Sequence, residues 1–184
     1  MGPLVLASRS PQRRAILEQL GVEFSVEIPE VEELEVGPPH EVALENAYRK
    51  ASAITVDGGR PVLGVDTVVS LGARLYGKPA DEEEARATLV ALAGRRHAVI
   101  SGVCLIEDGQ VRSAAAQTWV QFRALDDGLI GWYLSSGEWR ERAGGYAIQG
   151  RGAALVAGIE GDFLNVVGLP VATLLELAPG LLVQ

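Results

Sequence analysis

The chain has 184 residues, 48% of them apolar and 22% charged, which suits one domain with a sizeable core, spanning residues 1–184. Its net charge of −8 argues against nucleic acid as a partner, since non-specific binding to phosphate backbones needs a basic footprint. No apolar run approaches the about 20 residues of a membrane span, the opening MGPLVLASRS lacks a basic leader region, and one cysteine, Cys104, leaves no internal disulfide, so a cytoplasmic protein without a membrane partner is expected.

Leu4–Ala7 reads as a short buried strand, followed by Ser10 as an N-cap and Pro11 at the first helical position, where a missing N–H is tolerated. Ile16, Leu17 and Leu20 form that helix's apolar face, and Gly21 closes it. Residues 22–28 alternate weakly as a second strand, and an acidic, proline-containing loop occupies residues 29–40. Residues 41–54 form a helix with Leu44, Ala47, Tyr48, Ala51 and Ile54 on one face and Lys50 at its border. Val62–Leu71 is a strand that turns through Gly72-Ala73 into Arg74–Tyr76. Asp81 and Glu84 make a capping box for a helix that Gly94 ends. Residues 98–106 and 111–122 are strands joined at Asp108-Gly109, a strong hairpin signal. Residues 126–135 read as helix, 143–152 as a glycine-rich loop, 153–157 as a strand and 170–177 as a last helix. The order gives an α/β fold with a mixed twisted sheet and flanking helices.

Chemistry concentrates at a few places. Ser8-Arg9-Ser10-Pro11-Gln12-Arg13-Arg14 lies where a strand enters a helix, and helix N-termini bind anions. Arginines in a first turn oppose the helix dipole unless an anion lies between them, although solvated arginines on a capped helix account for the same residues. Asp66 interrupts an otherwise apolar strand and must meet a cation, hydrogen bonds or a strand end; it serves as a structural aspartate, or as a metal ligand or general base. Glu30, Glu32 and Glu33 sit in the acidic loop, and one of them paired with Asp66 would suit Mg²⁺, which takes one or two carboxylates plus substrate phosphates. The chain carries fourteen arginines but only two lysines, Lys50 and Lys78, the second on the tight turn Gly77-Lys78-Pro79. An ammonium is a compact point charge that guanidinium does not reproduce, so both lysines are candidates. His97 and His40 lack metal-ligand spacing, and His97 reads as a hydrogen-bonded structural residue.

Taken in order, Leu6-Ala7-Ser8-x-Ser10-Pro11-x-Arg13-Arg14, Val31-Glu32-Glu33, Lys50-Ala51, Gly64-x-Asp66-Thr67-x-Val69, Gly77-Lys78-Pro79, Gly94-x-x-His97, Ala143-Gly144-x-Tyr146-x-Ile148-Gln149-Gly150 and Asn165-Val166-Val167-Gly168-Leu169-Pro170 resemble the Maf family over essentially the whole chain. The resemblance implies two lobes around a cleft, similar to the inosine-triphosphate pyrophosphatases. It implies hydrolysis of nucleoside triphosphates to monophosphate and pyrophosphate, with a divalent metal, Mg²⁺ or Mn²⁺. Asp66 matches the family's proton acceptor, and Arg13, Glu33, Lys50 and Lys78 match its other active-site positions, with Glu33 and Asp66 holding the metal. Ser8 and Ser10 would face the phosphates. Asp-Thr and Ile-Gln-Gly look like the branch acting on dTTP and UTP, with Thr67 and Gln149 reading the base. Gln12 departs from that branch, which usually has a basic residue there, so the base preference stays open, modified purines included. The family is also associated with arrest of cell division, which leaves a nucleotide-dependent regulator as the alternative to an enzyme. A homodimer is the family-based expectation.

Overall fold

The computed structural model describes residues 2–182. It contains seven strands and six α-helices in the order β1 (Leu4–Ala7), α1 (Pro11–Gln19), β2 (Phe24–Glu27), α2 (Pro39–Ser52), β3 (Val62–Leu71), β4 (Arg74–Tyr76), α3 (Glu82–Leu92), β5 (Arg96–Glu107), β6 (Gln110–Phe122), α4 (Asp127–Leu134), β7 (Val156–Glu160), α5 (Phe163–Val167) and α6 (Val171–Leu177). All strands share one mixed sheet in the order β2-β1-β3-β5-β6-β7, with β4 paired to β3. β1 is parallel to both β2 and β3, while β3, β5, β6 and β7 run antiparallel.

The local chemistry of the turns and caps explains most boundaries. Ser10 caps α1 by accepting from Arg13 N, Asp81 caps α3 by accepting from Glu84 N, and Asp126 caps α4 by accepting from Leu129 N. Asp108 and Gly109 both adopt positive φ, at 49° and 75°, the conformation a two-residue hairpin turn requires to join β5 to β6. Sequence and structure differ at several points: the buried face of α2 is Val42, Ala43, Asn46, Ala47, Lys50 and Ala51, while Tyr48, expected on it, is exposed. Residues 150–155 form a 3₁₀ segment rather than strand, so β7 starts at Val156 and continues to Glu160. Its glycines break the extended run, and a Cβ at Gly152 would overlap the Ala147 carbonyl oxygen. The short helix α5 also lies where no helical period is visible; Asp162 caps it by accepting from Leu164 N.

The sheet carries separate apolar clusters along its length. Leu4, Leu6, Leu63, Val65, Val103 and Leu105 pack with Ile16 and Leu17 of α1 and Leu174 of α6. On the opposite face, Val5, Ala7, Val62 and Cys104 meet Ala47 and Ala51 of α2. Farther along the same strands, Val69, Val99, Val120 and Phe122 pack with Leu89 and Leu92 of α3, Ile130 and Tyr133 of α4, and Tyr146. Within this third cluster His97 is fully buried, and its Nε2 lies 2.9 Å from the Tyr146 hydroxyl. The structural role expected for it is what the contacts describe.

Helix α2 lies unusually close to the sheet. A Cβ on Gly64 would overlap the Ala47 carbonyl oxygen, and one on Gly102 would overlap that of Ala43. Glycine at both points lets the helix backbone rest directly on β3 and β5. Gly102→Ala is therefore expected to lower stability by about 1–3 kcal/mol, because backbone rather than a flexible side chain must move. Urea denaturation measures it; an unchanged midpoint would show that α2 does not need this close approach.

Burial also pushes the His97 imidazole down to about 4. Its neutral form is favoured in the fold, whereas the unfolded chain binds a proton below its ordinary value of about 6.5. Stability should thus fall as pH drops from about 6.5 toward 4. His97→Gln should flatten that dependence, read from melting temperatures across the interval; an equally steep slope in the variant would assign it elsewhere.

Candidate active site

The geometry starts from β3. Gly64 and Asp66 lie two residues apart, on the face toward α2, and Thr67 points to the other face. Because β1 ends at Ala7, paired with Gly64, Asp66 lies just beyond the carboxyl end of the parallel pair, where open α/β sheets commonly bind ligands. The buried Asp66 meets both a cation and a hydrogen-bond donor. Lys50 Nζ donates to Asp66 Oδ1 at 2.6 Å, and Asn46 Nδ2 donates to Oδ2 at 3.1 Å. Both partners come from α2, four residues apart and hence on one face.

Lys50 Nζ also lies 3.0 Å from Glu33 Oε1, so the buried ammonium joins two carboxylates. Asp66 is buried, while the Glu33 side chain is 42% exposed and faces the site from the acidic loop. Each carboxylate keeps lone pairs unspent, and Lys50 donates one hydrogen bond, to Asp66. Two carboxylates in this setting are a donor set that a hard divalent cation accepts when phosphate or water oxygens supply its other ligands. Among the described residues no group of three or more His, Cys, Asp and Glu side chains forms an all-protein metal cage. Glu30 and Glu32, also in the acidic loop, are not part of the cluster; the Glu32 carbonyl instead accepts from Arg49.

On the other face of β3, buried Arg13 projects from the first turn of α1. Its Nε donates to Gly168 O at 2.8 Å, Nη1 to Ser8 Oγ at 3.1 Å and Nη2 to Thr67 Oγ1 at 3.1 Å. Three of five guanidinium donors are thus committed and two remain. Burial lowers the Arg13 pKa, while the charges of Asp66 and Glu33 raise it; a guanidinium stays ionised under that balance. Ser8 Oγ additionally accepts from Ser10 N, and Ser10 Oγ reaches Gln12 Oε1 at 3.1 Å. Thr67 Oγ1 also shares a 2.8 Å hydrogen bond with Ser101 Oγ, its cross-strand neighbour.

Ser8, Ser10, Gln12, Arg13 and Thr67 form one network, and Glu33, Lys50 and Asp66 another on the opposite face of β3. The two meet at the adjacent residues Asp66 and Thr67, where the carboxylate charges act on Arg13. Lys78 and Gln149 touch neither. Lys78 is exposed after β4, 3.3 Å from Glu141 Oε2, and Gln149 is exposed in the glycine-rich loop. That loop is held from behind: the Glu138 carboxylate accepts from Arg151 N and Gly152 N, and the Tyr133 hydroxyl accepts from Ala147 N. A groove of about 550 Å³ lies elsewhere, beside Tyr48 of α2 and Val36. It holds none of the charged cluster.

Two participants escaped the sequence reading, Asn46 and Ser101. Asn46 had a visible signal, an amide four residues before Lys50 on a helix face otherwise made of Ala43, Ala47 and Ala51. Ser101 had none beyond its position on a strand, since its role depends on the β3–β5 register.

A strand-end carboxylate gripped by lysine thus lies near a helix N-terminus with a buried arginine, a setting that can hold an anion. The Maf-like protein family model matches residues 3–180, and the chain belongs to that family. A dTTP/UTP pyrophosphatase of Symbiobacterium thermophilum is 45% identical over 173 residues, covering 92% of this chain and 89% of the relative. One from Thermococcus kodakarensis is 46% identical, covering 95% and 94%, and one from Myxococcus xanthus is 46% identical, covering 91% and 86%.

Removing Lys50 leaves a buried carboxylate with its charge uncompensated. Lys50→Met is expected to lower folding stability by about 3 kcal/mol, the lower end for a broken buried pair because Glu33 is partly solvated. Chemical denaturation tests this; wild-type stability would mean that water, not Lys50, satisfies Asp66.

Proposed function

We propose that this chain is a nucleoside-triphosphate pyrophosphatase that cuts between the α- and β-phosphates of dTTP and UTP. The observation that carries the reading is the Asp66 carboxylate held at the strand end by Lys50, next to the α1 N-terminus and Arg13. The full-length similarity to dTTP/UTP pyrophosphatases supports the same reaction.

Asp66 accepts the proton of a water whose oxygen bonds to the α-phosphorus as the bridging oxygen to the β-phosphorus departs. Lone pairs not engaged by Lys50 and Asn46 are available to orient that water. The two uncommitted Arg13 N–H groups, the Lys50 ammonium and the Ser8 hydroxyl meet phosphate oxygens, and Ser10 joins them when its hydroxyl turns from Gln12. Lys78 meets the leaving pyrophosphate from the opposite side. Because pyrophosphate leaves as a stabilised anion, charge and position suffice and no covalent intermediate is needed.

Glu33 and Asp66 would hold Mg²⁺ or Mn²⁺, which supplies Lewis-acid stabilisation of the phosphoryl oxygens. Thr67, Gln12 and Gln149 read the base; the commitment of the Thr67 hydroxyl to Arg13 ties base reading to phosphate contact through one side chain. A cytoplasmic setting and a homodimer complete the reading. No described helix is long and apolar enough to cross a membrane.

Pyrophosphate release from dTTP, UTP, ATP and GTP, with Mg²⁺, with Mn²⁺ and after chelation, tests the proposal. The two pyrimidine nucleotides should give the higher kcat/KM, and chelation should abolish turnover. Asp66→Asn should lower kcat by about two orders of magnitude while leaving the fold intact by circular dichroism. A folded Asp66→Asn variant with wild-type kcat would remove Asp66 from the chemistry.

A further inference from the structure

We propose that Asn46 is a positioning residue for the hydrolytic step, clipping the Glu33 loop to the Asp66 carboxylate; the inference rests on Asp66 as the proton acceptor. The Asn46 side chain is 1% exposed and makes three hydrogen bonds. Its Oδ1 accepts from Leu34 N at 2.7 Å, and its Nδ2 donates both to Leu34 O at 3.0 Å and to Asp66 Oδ2 at 3.1 Å. The amide orientation follows from its partners. The Leu34 N–H requires an acceptor, whereas the Leu34 carbonyl and the carboxylate each require a donor, so only one placement of oxygen and nitrogen satisfies all three.

The consequence is mechanical. Lys50 grips Oδ1 and Asn46 grips Oδ2, so one helix face fixes both oxygens of Asp66 and with them the plane of the carboxylate. The same amide pairs with the backbone of Leu34, which adjoins Glu33, while Glu33 returns to Lys50. Asp66, Lys50, Glu33, Leu34 and Asn46 form a closed ring of contacts. Without Asn46 the carboxylate is held at one oxygen only and can rotate about its side-chain bonds, and the Glu33 loop loses its backbone anchor. Small misplacements of a catalytic group carry large rate penalties.

No group of the triphosphate-binding set is among Asn46's partners, so its loss should act on kcat and spare KM. Asn46→Ala is expected to lower kcat at least about tenfold with KM changed less than about threefold. Asn46→Asp keeps the volume and can still accept from Leu34 N. It sets a carboxylate against Asp66 and the Leu34 carbonyl, and so should lower kcat at least as far, even if the alanine variant folds poorly. The decisive readout is the double variant. Because Asn46 acts through Asp66, Asn46→Ala placed on Asp66→Asn should reduce the residual kcat no further, whereas a general structural role would add its full loss. Wild-type kcat in folded Asn46→Asp, or additive losses in the double variant, would overturn the assignment. If Asp66→Asn itself turns over normally, the reading of Asp66 fails and the inference fails with it; if only the Asn46 variants are silent, that reading stands and the inference alone falls.

Discussion

The close seating of α2 on the sheet is the constraint on which the site depends. Gly64 on β3 and Gly102 on β5 offer no side chain, and Ala43, Ala47 and Ala51 offer little on the facing helix. Backbone therefore approaches backbone, as small residues allow wherever a helix packs tightly. At that distance two side chains one turn apart, Asn46 and Lys50, both reach Asp66. A bulkier residue at either glycine would lift the helix, and the contacts at 2.6 and 3.1 Å would lengthen together. The packing and the chemistry thus rest on the same pair of glycines.

Electrostatics gives the second layer. A chain of net charge −8 is a poor host for a polyanion unless cations are concentrated locally. Arg13 and Lys50 are both buried, which strengthens their interactions relative to surface charges but also imposes desolvation. The fold offsets this with Gly168 O, Ser8 and Thr67 around Arg13, and with Asp66 and Glu33 around Lys50. A buried ion pair seldom adds net stability over an apolar replacement. What the pair does in this fold is hold the Asp66 carboxylate in a fixed position.

Much of this was legible in the sequence, for identifiable reasons. Caps and turns are local, so Ser10, Asp81 and Asp108-Gly109 announced their structures. Asp66 stood out because a carboxylate within an apolar strand demands a partner, and Lys50 because lysine is rare in this chain. What stayed hidden depends on tertiary placement. Asn46 is one polar residue in a helix and acquires meaning only when β3 and the Glu33 loop close around it. Ser101 matters through strand register, and the chain at 150–155 departs from strand because Gly152 packs against Ala147. Periodicity carries none of that.

The positions of Lys78 and Gln149 follow from how the long strands are used. Within β3, Leu63 and Val65 belong to the cluster beneath α1, while Val69 belongs to the cluster with α3 and α4. Asp66 and Thr67 fall between, at the seam of two cores carried by one strand. β5 repeats the pattern, with Val103 and Leu105 in the first core and Val99 in the second. Arg13 and the Ser8–Ser10 turn are built on the first core, Lys50 on α2, and Lys78 and Gln149 on loops of the second. Each half is stiffened separately: the first by the Asp66 ring and the Arg13 fan, the second by the Tyr146–His97 contact and by Glu138 gripping the amides that follow Gln149. The continuous strands β3 and β5 then fix the distance between the two halves.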